Sequence, residues 1–241
     1  MNMKISEILK SIKLFTLDTI FPIKCVGCKK EGEWLCDKCF SKTVLVKSQL
    51  CPYCSRLSEK GKICERCKRR TKSNLSGILP ACYFNEGFIK DAIHEFKYDG
   101  VFDLAEPLAN LLINCLLENP LFEGRIIVPV PLHKRKEKQR GFNQSKLLAQ
   151  KIADAYEVEI EDKVLIRKKS TLPQVSLGSK DRKSNIKNAF EFVGDSGKIK
   201  DKKILLIDDV CTTGATLEEC AKVLKENDAK DVWALIIARQ N

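Results

Sequence analysis

The chain has 241 residues, 44% of them hydrophobic and 31% charged, with 12 cysteines and a formal net charge of +11. That length holds one good core with a small second module, and that composition excludes a disordered chain. No stretch is long and apolar enough to span a bilayer, and Lys4, Lys10 and Lys13 interrupt any signal-peptide core with no small-residue cleavage site after it, so stable membrane insertion is excluded and a cytoplasmic chain is expected.

In chain order, Ile5, Ile8, Leu9, Ile12, Phe15 and Ile20 recur at helical spacing and predict an amphipathic helix over 1–22 that packs on the chain's own domains. Residues 23–70 then hold four CxxC pairs, Cys25/Cys28, Cys36/Cys39, Cys51/Cys54 and Cys64/Cys67. Each pair presents two thiolates to one metal, and two pairs complete a tetrahedral site. In a chain without a secretion signal disulfides are the weaker reading, and all-thiolate ligands favour two structural zinc ions. The simplest pairing is sequential, and spacing alone leaves a cross-braced pairing open. Cys82, Cys115, Cys211 and Cys220 lack a CxxC partner and read as small buried hydrophobes.

The charge sits in the same third: residues 1–80 carry 17 Lys/Arg against 7 Asp/Glu, and residues 81–241 carry 26 against 25. Two zinc ions on eight thiolates lower the first balance to about +6. Such an asymmetry fits a polyanion, most simply nucleic acid, and equally a solvated lysine-rich surface.

A polar, basic stretch reads as a linker over 71–78, and a third region, 79–241, alternates strands and helices. Strands are expected at 79–84, 126–130, 164–167, 204–208 and 232–238, and helices at 88–98, 103–118, 143–156 and 215–227. Continuous apolar strands separated by amphipathic helices imply an α/β domain with a parallel sheet covered on both faces, and ligands in such sheets sit beyond the carboxyl ends of the strands. At that edge, ILLIDDVCTTGAT (204–216) runs a buried strand into Asp208 and Asp209, which reach one ligand together where the pleat breaks. A vicinal diol with a nearby Mg2+ satisfies such a carboxylate pair. Thr212, Thr213, Gly214, Ala215 and Thr216 then open a helix whose free N–H groups suit a phosphate. Diol at one end and phosphate at the other describe a ribose 5-phosphate; the alternative is an acidic turn ahead of an ordinary capped helix.

IDDVCTTGAT resembles the phosphoribosyl pyrophosphate (PRPP) motif of type I phosphoribosyltransferases. VPVPLHKRKEKQRGFNQS (128–145) and TLPQVSLGSKDRKSNIKNAF (171–190), behind cysteine pairs introduced by FPIKCVGC, resemble the competence-associated ComF family. The resemblance implies a type I phosphoribosyltransferase-like parallel sheet flanked by helices, preceded by a small double zinc-ribbon module. Asp208 and Asp209 would hold the ribose hydroxyls and 212–216 the 5-phosphate. Val130, Pro131 and Leu132 would form the pyrophosphate loop. Arg135, Arg140 and Lys97 would approach the diphosphate, as would Gln174 and Arg182 from a loop over 168–187 that closes on it. It further implies PRPP with Mg2+ as ligand, and a DNA-uptake role in which the zinc module meets single-stranded DNA or proteins of the uptake machinery, at the inner face of the membrane through those partners. With only His94 and His133, base catalysis has few candidates, and no stretch reads as a nucleobase-recognising hood. An active phosphoribosyltransferase acting on an unidentified base or amine is the alternative function.

Overall fold

A computed structural model describes residues 22–121, 124–169 and 186–240. The expected helix over 1–22, and Gln174 and Arg182 of the expected closing loop, lie outside the described residues. The chain divides into two compact units, 1–43 and 44–241.

In the first unit, Cys25 opens a tight knuckle: the Lys29 N–H donates to the Cys25 carbonyl and the Cys25 N–H to the Lys30 carbonyl, both at 2.8 Å. Lys29 takes a left-handed φ of 62° to make the turn. A short helix α1 (Asp37–Phe40) then carries Cys39 back beside the knuckle.

The second unit repeats the device and extends it. Ser55 stands at φ 55° where the first knuckle has Lys29, and the Ser55 and Cys51 N–H groups donate to Cys51 and Arg56 carbonyls. Helix α2 (Glu65–Thr71) follows Cys64. The stretch expected as a linker is here part of the fold. Leu75 is fully buried, and strand β1 (Gly77–Tyr83) begins inside it. Gly77 is required by packing, since a Cβ there would lie 2.3 Å from the Trp233 ring. The compact units divide at 43/44, and the second knuckle shares its apolar contacts with the sheet. Cys51, Ile63, Cys67, Leu75 and Ile78 belong to one core cluster with Ile204, Leu206, Ala234 and Ile236.

The sheet is four-stranded and parallel, in the order β1, β6 (Asp231–Arg239), β5 (Lys203–Cys211), β2 (Arg125–Pro129). Its central strands are apolar without alternation because both faces are covered. Helix α3 (Ile89–Tyr98) follows β1, and α4 (Ala105–Glu118) leads to β2. A seven-residue helix α5 (Lys134–Arg140) and then α6 (Gln144–Tyr156) follow β2. Helix α6 packs beside α4 and on β2 and β5. Helix α7 (Ala215–Glu226) buries Leu217, Cys220, Ala221 and Leu224 against Ile204, Leu206 and Ile236.

Two expectations are corrected here. The strand near 164–167 (β3, Leu165–Arg167) does not join the parallel sheet; it pairs antiparallel with β4 (Phe190–Phe192), and β4 packs on α7. The pleat also does not break at Asp208. β5 stays paired with β6 in one register from Lys203↔Asp231 to Cys211↔Arg239.

Candidate functional site

Two neighbours in a continuous strand point to opposite faces, yet Asp208 and Asp209 line the same cavity of about 420 Å³. The reason is the sheet's ragged edge. β2 pairs with β5 only as far as Pro129↔Ile207, with a last bond from the Val130 N–H to the Ile207 carbonyl at 3.0 Å. From Asp208 onward β5 keeps its pairing with β6 but has lost β2, and both carboxylates line the cavity there.

Each carboxylate is held by a different helix. Ser145, on the first turn of α6, donates its hydroxyl to Asp208 Oδ1 at 2.8 Å. Lys97, near the end of α3, pairs with Asp209 Oδ1 at 2.7 Å with both side chains largely buried. Loss of hydration and the charge of Asp209 push the Asp208 carboxyl up to about 7, against the pull of Ser145 and Lys97. The pair is therefore poised for donors or positive charge from a ligand.

Beside it, Lys97, Lys136, Arg140 and Arg167 line the cavity. Lys136 is held below the usual lysine range by burial and by the nearby charges of Arg167, Arg140 and Lys97, so these cations crowd one another around a common space. Burial likewise lowers the Arg167 guanidinium. Arg140 is fixed by a 2.9 Å bond to Gln144 Oε1 and by stacking over the Tyr98 ring at 4.9 Å. Gln144 Nε2 and Thr212 Oγ1 are buried without a hydrogen-bond partner among the described residues, and both residues line the cavity. Crowded cations and unsatisfied donors suit a ligand rich in anionic oxygens.

Among the residues singled out from the sequence, Asp208, Asp209, Thr212, Thr216, Val130, Pro131, Leu132, Lys97 and Arg140 line this cavity. Thr213, Gly214 and Ala215 form the turn behind it. Gly214 takes φ 78° as the cap of α7, and the Ala215 N–H lies 3.4 Å from Thr213 Oγ1. Arg135 is not brought in. It is exposed, and its N–H caps α5 on His133 Nδ1. Asn143 caps α6 by accepting from the Ser145 N–H, and its Nδ2 donates to the Val130 carbonyl, which ties the 130–132 loop to the helix that carries Ser145. Sequence reasoning missed Ser145, Lys136 and Arg167 as site residues. Ser145 and Lys136 lie within the motif VPVPLHKRKEKQRGFNQS, whereas Arg167 ends a strand whose partner was not foreseen.

The eight CxxC cysteines gather sequentially. The sulfurs of Cys25, Cys28, Cys36 and Cys39 lie within 4.8 Å of one another, as do those of Cys51, Cys54, Cys64 and Cys67. None is disulfide-bonded. Burial opposes the Cys25 thiolate, but N–H groups of Cys36, Cys28 and Gly27 aimed at its sulfur hold it down to about 6, and Cys64, Tyr53 and Cys54 do the same for Cys51. Four soft donors at tetrahedral spacing, with backbone N–H groups favouring the thiolate, fit structural zinc.

Comparison with known proteins bears on both regions of the chain. A double zinc ribbon domain model matches residues 16–68, and a phosphoribosyl transferase domain model matches residues 139–241. Competence protein F of Haemophilus influenzae is 29% identical over 231 residues, covering 89% of this chain and 97% of that protein. DNA utilization protein YhgH of Escherichia coli K12 is 30% identical over 212 residues, covering 85% and 91%. Competence protein ComFC of Streptococcus pneumoniae is 29% identical over 211 residues, covering 88% and 90%. With that coverage, and with a phosphoribosyltransferase domain behind two four-cysteine sites, the chain belongs to the ComF family of competence and DNA-utilization proteins.

Proposed function

We propose that the chain binds PRPP in the cavity at the end of β5 and acts in DNA uptake, with its zinc-ribbon region contacting single-stranded DNA. The observation that carries the first part is the meeting, in one cavity, of a carboxylate pair with Lys97, Lys136, Arg140 and Arg167, of which Lys97 pairs with Asp209. Asp208 and Asp209 accept from the ribose 2- and 3-hydroxyls, and the turn 212–216 at the start of α7 receives the 5-phosphate. Lys136, Arg140 and Arg167, with the backbone of 130–132, receive the diphosphate. Mg2+ bound with PRPP supplies further charge neutralisation; Lys97 holds Asp209 in place until the ligand arrives.

Titration calorimetry with PRPP and Mg2+ tests this reading. Binding is expected to the full chain, and Asp208→Asn with Asp209→Asn together should abolish it while the circular dichroism spectrum stays unchanged. A double variant that binds PRPP as well as wild type overturns the assignment.

For the nucleic acid, the support is an exposed basic run on and after α2, Lys68, Arg69, Arg70 and Lys72, beside the second cysteine cluster. Binding carried by phosphate contacts weakens steeply with salt, because neutralised phosphates release counterions. Charge reversal of these four residues should weaken single-stranded DNA binding and leave PRPP binding intact; DNA binding that is independent of salt, or untouched by the reversal, removes this part. The phosphoribosyltransferase alternative is favoured by one feature. The cavity extends past the ends of β1 and β6 to Phe84 and Gln240, away from the 130–132 loop, which leaves room for an acceptor opposite the departing diphosphate. Diphosphate release in the presence of candidate bases or amines measures it directly.

A further inference from the structure

Glu218 lies on the first turn of α7, one turn beyond the expected phosphate loop, and its backbone N–H makes the early helical bond to the Gly214 carbonyl at 2.9 Å. Its carboxylate does not face the cavity. It turns to the second cysteine knuckle and accepts from four donors there. Oε2 accepts from Tyr53 Oη at 3.2 Å and from Ser73 Oγ at 2.8 Å; Oε1 accepts from the Asn74 N–H and from Asn74 Nδ2 at 3.1 Å. Tyr53 sits between the ligands Cys51 and Cys54, and Ser73 and Asn74 follow the helix that carries Cys67. A second tie runs from the end of β6, where Arg239 Nη2 donates to the Pro52 carbonyl at 2.6 Å. Beneath the polar contacts, Cys51 and Cys67 share a core cluster with Cys211, just before the loop, and Ala215, within it, and Ile78 Cδ1 comes within 3.6 Å of where a Cβ on Gly214 would stand.

Each end of this clasp also has local support of its own. In the knuckle, Cys51 and Cys67 pack into the core while Cys54 and Cys64 are only partly buried, so that closing the four-sulfur set falls to thiolate–metal bonds. The 212–216 turn holds its shape through the cap of α7. A carboxylate saturated by four donors couples them: Tyr53 lies between Cys51 and Cys54, and its hydroxyl, besides donating to Glu218, meets Ser73 Oγ at 3.4 Å.

We infer that Glu218 is a positioning residue that links metal occupancy of the Cys51–Cys54–Cys64–Cys67 site to phosphosugar binding at 212–216. Metal in this site favours the loop geometry that receives phosphate, and a bound phosphosugar reciprocally retains the metal, since coupling between two sites acts equally in both directions. The Cys25–Cys28–Cys36–Cys39 site belongs to the other compact unit and serves as the internal comparison. The inference rests on the PRPP reading above and goes beyond it by giving the second zinc site a role in ligand affinity.

The test uses the full zinc-loaded chain. A zinc-selective chelator and N-ethylmaleimide are added with and without saturating PRPP and Mg2+, and alkylation is followed cysteine by cysteine by mass spectrometry. PRPP is expected to slow modification of Cys51, Cys54, Cys64 and Cys67 by about fivefold, the low end of ordinary coupling between sites, and to leave Cys25, Cys28, Cys36 and Cys39 unchanged. Glu218→Gln should remove the protection while calorimetry still registers weakened PRPP binding. If that variant does not fold, Ser73→Ala and Tyr53→Phe each remove one donor from the knuckle side and should each reduce the protection. Protection that survives in Glu218→Gln, or in both donor variants, overturns the assignment to Glu218. Equal protection of both cysteine sets, or none despite calorimetric binding, overturns the inference and leaves the PRPP site standing. Absence of PRPP binding to wild type overturns both.

Discussion

Asp208→Asn should stabilise the ligand-free protein, because the native carboxylate is held in a place built for something else. Lost hydration and the charge of Asp209 move its pKa from an ordinary 3.8 to about 7. Between about pH 4 and 7 the folded chain keeps a proton on Asp208 that the unfolded chain has released. This group therefore lowers stability progressively as pH rises through that window, and its full penalty is present above pH 7. At about 1.36 kcal/mol per pKa unit, three units give an upper figure of roughly 4 kcal/mol, and sharing of the proton with Asp209 brings the expected gain at pH 8 to about 2–4 kcal/mol. Asparagine keeps an acceptor oxygen for the Ser145 hydroxyl and the Asp209 N–H, so little else is lost. In thermal melts without ligand the variant should unfold roughly 5–12 °C above wild type at pH 8, with the gap shrinking as pH falls towards 4. A variant less stable than wild type at pH 8, or a gap that ignores pH, refutes the idea that this carboxylate is strained for binding.

Arg167→Gln should weaken PRPP at least tenfold and ribose 5-phosphate hardly at all, because the guanidinium is assigned to the diphosphate; equal losses by calorimetry would place it elsewhere. Elemental analysis of protein purified without chelators should find two zinc ions per chain, and mass spectrometry should find all eight cluster cysteines reduced. Leu75→Ala should cost about 2–5 kcal/mol in denaturant unfolding, as befits a fully buried leucine; a change within about 0.5 kcal/mol would return residues 71–78 to the role of a linker.

What the residues disclosed and what they hid separates along physical lines. The strand of ILLIDD and the helices around 89–98, 144–156 and 215–226 were legible because burial of a face imposes a period or an unbroken apolar run. The cysteine pairs were legible because metal geometry fixes their spacing, although only the folded chain joins them sequentially. Helix α5 was not, since KRKEKQR buries none of its residues and so leaves no apolar period. VLIR reads the same whether its neighbour runs parallel or antiparallel, which hid the β3–β4 pair and with it the approach of Arg167. Leu75 stands alone in a polar stretch, and its burial depends on partners far away in sequence. The carboxylates were found for a partly mistaken reason: both reach the cavity because β2 stops at Pro129, a fact about a neighbouring strand that no local pattern in β5 carries.

The duplicated knuckle also decides where the chain can be divided. To the eye the two cysteine motifs are one cassette, and excising 1–70 would look like removal of a detachable cap. The second copy, however, contributes Ile63, and the stretch after it Leu75, to the same interior as the sheet. Deletion to residue 70 would take Cys51, Ile63 and Cys67 out of that cluster and leave apolar surface open to water. A cut between Thr43 and Val44 instead leaves each piece with its own complete set of four thiols. Of two look-alike repeats, the second shares the sheet's core, and limited proteolysis should cut near residue 43 before it cuts within 44–78.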